Sequence, residues 1–292
     1  MTQDAQKHPL LTVCIVHYRR LEQLQKTIDA LFQNTRTAFL LRVYNNGYED
    51  DGIREYLDGI NQRSDTTVIF DTKNIGCSPA RHEIVKNIET PFILMLDDDM
   101  YVNKDWDVPV FKKFAENPTI GAIGFSIYKI DGSFWWTGGR NIILSKKEIK
   151  IERPHIDPEK SDLDFIELDD VAAGAMIYRK ELEDIIVWDK NYFIGFEDLE
   201  KGLHLKQSKY SCLVSIQSKF IHDKISEKQE YAAYNNARRN YHAYRRSYLH
   251  FLKENRYRLD LKRHLFYKYV CLLPNNILQK LVYTWLSIKK KG

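Results

Sequence analysis

The strongest constraint on this chain is an alternation that fills its first hundred residues. Leu10–His17 (LLTVCIVH), Phe39–Tyr44 (FLLRVY), Thr66–Phe70 (TTVIF) and Pro91–Leu96 (PFILML) are short apolar, β-branched runs. Such runs read as buried strands. Between them, Leu21–Phe32 sets Leu21, Leu24, Ile28 and Leu31 at helical spacing, and Ile53–Ile60 and Ser78–Ile88 also read as helices. Strands and helices alternating over short connections predict an α/β fold: a doubly wound, mostly parallel sheet sandwiched by helices. Ligands in such sheets sit beyond the carboxyl ends of the strands. His17-Tyr18, Asn45-Asn46, Asp71 to Gly76 and Asp97-Asp98-Asp99 all fall there. Four polar clusters are therefore expected to converge on one crevice.

The pattern then changes. Ile120–Ile130 and Phe134–Leu144 read as strands rich in Gly and aromatics, and Ile149–Asp164 as a charged loop. Phe165–Tyr178 is extended, with a break at Gly174, and Tyr210–Ile216 is a last strand before Phe220-Ile221-His222-Asp223. Ser226 to Gln229 fits a capping box that opens a long helix to about Asn255. The expected organisation is one domain over 1–225, with its pattern changing between 10–99 and 100–225. A helical, basic, amphipathic extension over 226–292 follows.

Composition narrows the function classes. With 43% hydrophobic and 13% aromatic residues among 292, the chain can build a core. Its four cysteines are scattered without a C-x-x-C pair, which argues against a zinc site or disulfide framework and for a reducing cytosol. Residues 1–9 are polar, and no stretch is long and apolar enough for a span, so a cytoplasmic location is expected. From Lys253 onward, ten Lys or Arg face two acids, a net of +8 in a chain of +4, which leaves −4 on the body. A basic tail suggests an anionic partner surface.

Asp97-Asp98-Asp99 is the sharpest chemical feature. Three adjacent carboxylates repel one another unless a cation joins them. A solvated loop or helix cap is the ordinary account of such a triplet. Here it ends an apolar strand at the ligand edge, which favours Mg²⁺ or Mn²⁺ bound by hard oxygen ligands. Glu197-Asp198 offers a general base, or simply acids at a helix N-terminus. A lone His222 is ordinarily structural. Asn74 and Arg81 frame a loop that opens a helix and suits a phosphate or ribose. Trp135 and Trp136 could stack on a sugar or serve as a core hairpin.

Taken in order, LTVCIVHYRR, Tyr44-Asn45-Asn46-Gly47, NIGCSPAR, FILMLDDDM, GAMIY, FEDLEKGLHL and FIHD resemble the family-2 glycosyltransferases of the GT-A fold. The resemblance spans roughly Leu10 to Asn240 and implies a catalytic domain with a nucleotide-binding half at 10–99 and an acceptor-binding half at 100–225. It implies that His17, Tyr18 and Asn45 border the nucleobase, with Asp71, Asn74 and Arg81 holding nucleoside and diphosphate. Asp97 and Asp98 would serve the donor, Asp99 and His222 the metal. Asp198 would be the base, with Glu197 orienting the acceptor and Trp135, Trp136, Gly174 and Phe196 lining its side. Asn45 stands where many members carry Asp, which leaves uridine and deoxythymidine diphosphates both open.

The reading that follows is an inverting, metal-dependent transferase that moves a sugar from a nucleotide-sugar donor to a glycan or glycolipid hydroxyl. A role in bacterial surface polysaccharide or glycoconjugate synthesis is implied by the resemblance. Its rivals are a retaining transferase, a sugar nucleotidyltransferase and a nucleic-acid binder built on the tail. The acidic body and the tail's apolar stripe argue against nucleic acid. Ile277 to Lys291 reads as an amphipathic helix that meets an anionic membrane, its own domain or, in a homo-oligomer, a second subunit.

Overall fold

The computed structural model describes residues 9–48, 50–223, 241–269, 271 and 277. β1 (Leu11–His17), α1 (Leu21–Asn34), β2 (Phe39–Asn46), α2 (Asp51–Ile60), β3 (Thr66–Asp71), α3 (Cys77–Ile84) and β4 (Phe92–Asp97) alternate as the periodicity predicts. β5 (Met100–Val102) and α4 (Asp107–Glu116) are additions to the expected order. After them come β6 (Ile120–Lys129), β7 (Phe134–Trp136), β8 (Gly139–Leu144), β9 (Ile149–Glu152), β10 (Phe165–Leu168), β11 (Asp170–Val171) and β12 (Ala175–Arg179). α5 (Glu197–Gln207), β13 (Ser211–His222), α6 (Tyr241–Asn255) and α7 (Leu261–Lys268) complete the described chain.

The main sheet runs β10-β13-β6-β12-β4-β1-β2-β3, with β5 added on β13 and β7 on β6. β3, β2, β1 and β4 are parallel neighbours, and β13 runs parallel to β6. β12 runs against both β4 and β6. The sheet is thus mostly parallel, as expected, and the antiparallel β12 starts at the edge where β4 ends. Register brings the polar ends level: Val16 lies opposite Asp97, His17 opposite Asn45, and Asn46 opposite Asp71.

One apolar layer on the sheet gathers Leu24, Ile28 and Leu31 of α1 with Ile53 and Leu57 of α2 and Val110 and Phe114 of α4. The other gathers Ala80 and Ile84 of α3 with Trp188 and Leu205. Each fully buried large apolar side chain stabilises by about 1.5–3 kcal/mol. A three-stranded sheet, β11-β8-β9, lies apart from the main one. β9 falls where a charged loop is expected. Its alternation is carried by Ile149 and Ile151 alone between exposed Lys150 and Glu152, too short a signal to stand out.

α6 buries Tyr248 and Phe251 against Tyr192 on the 187–196 loop and Leu199 and Leu203 of α5. It thereby braces the helix that begins with Glu197. α7 buries no residue and leaves Leu261 and Leu265 exposed. No helix among the described residues is long and apolar enough to cross a membrane. The capping box at Ser226 and, apart from Ile277, the tail helix lie outside the described residues.

Candidate functional site

The acidic triplet sits in the tight turn between β4 and β5, and the turn sends its three carboxylates to different partners. Asp97 emerges from the strand and accepts from Arg81 Nη2 at 3.1 Å. Its neighbour across the strand gap is Gly174, where a Cβ would lie 2.2 Å from Asp97 Oδ2. The break in Phe165–Tyr178 therefore makes room for this carboxylate.

Asp98 turns inward and is 1% exposed. Its Oδ2 takes His17 Nδ1 at 2.9 Å and the Tyr18 N–H at 3.3 Å, and its Oδ1 takes Arg20. His17 is fully buried beside it. Both were expected to border the donor. The structure instead pairs them beneath the crevice, because a buried carboxylate must find charged or N–H partners.

Asp99 Oδ2 accepts from Arg20 Nη1 and lies 3.2 Å from His222 Nε2. β13 delivers His222 by pairing it with Met100, next to the turn. The Asp223 N–H closes the corner on the Asp99 carbonyl at 2.9 Å. His222 Nδ1 is buried without a hydrogen-bond partner. A carboxylate oxygen and an imidazole nitrogen this close fit Mn²⁺ or Mg²⁺, with phosphate oxygens completing the shell. Among the described residues no group of three or more His, Cys, Asp or Glu is arranged to hold a metal, so these two residues would depend on those further oxygens.

Arg81 links this side of the crevice to the next. Besides Asp97, its Nη1 lies 3.6 Å from Glu197 and 3.8 Å from Asp198, and its guanidinium stacks 5.0 Å over Trp188. Arg81 is only 5% exposed, so it orders three carboxylates. Glu197 and Asp198 open α5, as acids at a helix start do, and also face the other clusters. The two carboxyls differ. Glu197 keeps 10% of its side chain exposed and Asp198 keeps 35%. Burial, and then the charge of Asp198, push Glu197 up to about 7. Burial works against Asp198 too, but Lys201, Arg140, Arg81 and the Ala173 N–H hold it below the ordinary carboxylate range.

A pH-dependent stability follows. Glu197 keeps its proton in the folded state at pH values where the unfolded chain has lost it. The favourable contribution is complete below about 4.5 and disappears as pH rises to about 7. At about 1.4 kcal/mol per pH unit, the change is at most about 3 kcal/mol. Denaturant unfolding at pH 5 and pH 7.5 should therefore favour the wild type over Glu197→Gln more at pH 5. A difference between the two proteins that is equal at both pH values would refute the raised carboxyl.

The remaining expected residues separate into those at the crevice and those that build it. Asn74 accepts from the Gly76 N–H at 2.9 Å, and Asn46 clamps the same loop through the Ile75 N–H at 2.9 Å and the Gly76 carbonyl at 3.1 Å. Gly47 has φ +74, and a Cβ there would lie 1.8 Å from the Lys73 carbonyl carbon, so only glycine fits. Asp71 accepts from Tyr44 at 2.7 Å. Asn45 is fully buried, and neither atom of its amide has a partner. Tyr18 meets Tyr48 edge-on at 6.0 Å, with Arg19 above both rings.

Strand β7 splits the tryptophan pair. Trp135 is 37% exposed and its ring lies 5.2 Å from His222. Trp136 points the other way, packs against the core and lies beneath Arg153. The core-hairpin account therefore holds for Trp136 and not for Trp135. Phe196 is also turned away. Its ring packs 5.1 Å from both Tyr248 and Tyr267, against the helical layer. Its φ of 73 is rare for a bulky side chain. The helical layer around its ring holds that conformation at the start of α5.

The profile of the family described as glycosyl transferase family 2 matches residues 12–186, more than half the chain. The chain belongs to that family. It is 23% identical over 128 residues to glycosyltransferase GlyA of Streptococcus pneumoniae serotype 4 (strain ATCC BAA-334 / TIGR4), a match covering 43% of this chain and 18% of GlyA. Its fold resembles the crystal structure of GalNAc-T7 with UDP, GalNAc and Mn²⁺, with TM-score 0.62 and 17% identity over 75% of this chain and 44% of the other. It also resembles S. aureus TarS 1–349 in complex with UDP-GlcNAc, with TM-score 0.54 and 14% identity over 83% of this chain and 66% of that one. At such identities the likeness establishes the GT-A fold. The chain spans less than a fifth of GlyA and under half of the GalNAc-T7 chain.

Four site residues of this family 2 transferase carried no sequence expectation. Arg20 bridges Asp98 and Asp99. Asp170 is fully buried and joins Lys201, at 2.7 Å, to Arg140. Arg140 Nη2 in turn lies 3.6 Å from Asp198. Only the placement of Arg20 one helix turn past the end of β1 could have signalled any of them.

Proposed function

We propose that this family 2 transferase is an inverting, metal-dependent enzyme that moves a sugar from a UDP- or dTDP-sugar to an acceptor hydroxyl. The observation that carries the reading is the Arg81 fork, which brings Asp97 of the donor edge and Asp198 of the acceptor edge onto one guanidinium. Asp99 and His222 flank that axis on the donor side. The bound UDP and Mn²⁺ of GalNAc-T7 and the UDP-GlcNAc of TarS support the donor class.

In this reading Tyr18, Asn45, Asp71 and Asn74 border the nucleoside. The unpartnered Asn45 amide both donates and accepts, as a pyrimidine edge requires. A divalent ion at Asp99 and His222 would neutralise the departing diphosphate. Asp198, ionised at neutral pH, takes the acceptor proton. The acceptor oxygen forms its bond to C1 as the bond from C1 to the diphosphate oxygen breaks, so the anomeric centre inverts. Trp135 offers the growing glycan an aromatic face. The acceptor is a glycan or glycolipid of surface polysaccharide or glycoconjugate synthesis, on the cytoplasmic side and reached from an anionic membrane surface.

The test is a panel of nucleotide sugars, each incubated with and without EDTA and with Mn²⁺ restored. One donor should be consumed, EDTA should stop it, and the released sugar should show inverted anomeric configuration by NMR. Retained configuration would exclude the mechanism, and EDTA-insensitive turnover would exclude the metal.

A further inference from the structure

We infer that Arg20 is a resident counter-cation of the Asp98–Asp99 seat, which a divalent ion must displace and which then turns to the donor diphosphate. The inference rests on the metal-dependent reading above. Its basis is one oxygen. Asp99 Oδ2 accepts from Arg20 Nη1, and the same Oδ2 lies 3.2 Å from His222 Nε2. A metal held by Asp99 and His222 at that corner would need the oxygen that the guanidinium now occupies. Two cations cannot share it at contact distance without strong repulsion.

Arg20 is built into this position. Its fork spans both carboxylates, and its side chain is 11% exposed. Arg19 before it adopts φ 73, a conformation an arginine adopts at a cost and which tends to mark functional turns. Asp98 does not depend on Arg20 alone, because His17 and the Tyr18 N–H hold its other oxygen. The seat therefore survives when Arg20 leaves. A released guanidinium has the planar fork that matches phosphate oxygens two at a time. Metal and diphosphate should then bind cooperatively, since each removes a cost from the other, and linkage makes the effect mutual.

The experiment titrates Mn²⁺ into the full chain, read by electron paramagnetic resonance, with and without UDP. Arg20→Met should bind Mn²⁺ alone about ten-fold more tightly than wild type, or better, because the competing charge is gone. UDP should enhance Mn²⁺ binding less in Arg20→Met than in wild type. Arg20→Lys keeps the charge but loses the fork, so its affinity should lie between the two. If Arg20→Met fails to fold, Arg20→Gln, which also removes the charge, decides the question, since affinity equal to wild type would then overturn the inference. Mn²⁺ affinity in Arg20→Met equal to or weaker than wild type would make Arg20 a purely structural residue. If wild type and both variants bind no Mn²⁺ even with UDP, the metal reading falls and this inference with it.

Discussion

Asp198→Asn is expected to lower transfer by about 10² to 10⁴, the usual contribution of a positioned general base. Donor affinity should stay within a factor of about two, since nothing that holds the donor is removed. The substitution keeps shape and removes only the proton-accepting charge. Asp198 is the better base of the acidic pair on geometry and on ionisation. It is the more exposed carboxyl, and the cations around it keep it charged. Glu197 is buried and holds a proton up to about pH 7. Arg140 does not lose its anchor in the variant, because Asp170 still binds it. Single-turnover rates and calorimetric donor titration on both proteins would measure the two quantities. Equal losses in rate and in donor affinity would make Asp198 a structural residue.

Much of this arrangement is legible in the sequence, for a physical reason. The runs that become β1 and β4 are buried on both faces, so they read as continuous apolar stretches, and the residues that end the parallel strands must share one edge. That logic finds the crevice, Asp97 to Asp99, Asn45 and Arg81. It does not find where adjacent carboxylates point. Asp97, Asp98 and Asp99 diverge because their partners, Arg81, His17 and His222, arrive from different parts of the chain, the last 123 positions away. The packing of Phe196 is hidden for a similar reason. A residue beside an acidic pair looks like a site wall, but its ring is claimed by Tyr248 and Tyr267 from helices far along the chain. Lys201 is the least legible. In FEDLEKGLHLKQ nothing marks it out from the other charges, yet it is fully buried.

That burial makes Lys201→Met the substitution with the largest expected effect on stability. Lys201 Nζ donates to Asp170 Oδ1 at 2.7 Å and to the Val171 carbonyl, and both side chains are 0% exposed. Removing one partner of a buried ion pair costs about 3–5 kcal/mol, because the other charge is left uncompensated. Asp170 keeps Arg140, so the loss should fall near the lower end, about 3 kcal/mol. Replacing both partners is a different case. Asp170→Asn with Lys201→Met removes the uncompensated carboxylate and leaves Arg140 to Asp198 at 3.6 Å, so it should recover part of the loss. The same lysine also lies among the cations that keep Asp198 charged. Its removal should move the acid limb of the activity profile to higher pH, because Asp198 then holds its proton more strongly. Urea unfolding of the single and double variants, with a pH–rate profile of the single variant near its stability optimum, would measure both effects. A single variant destabilised by less than about 1 kcal/mol, with an unmoved acid limb, would mean that the buried pair neither supports the fold nor sets the charge of the base.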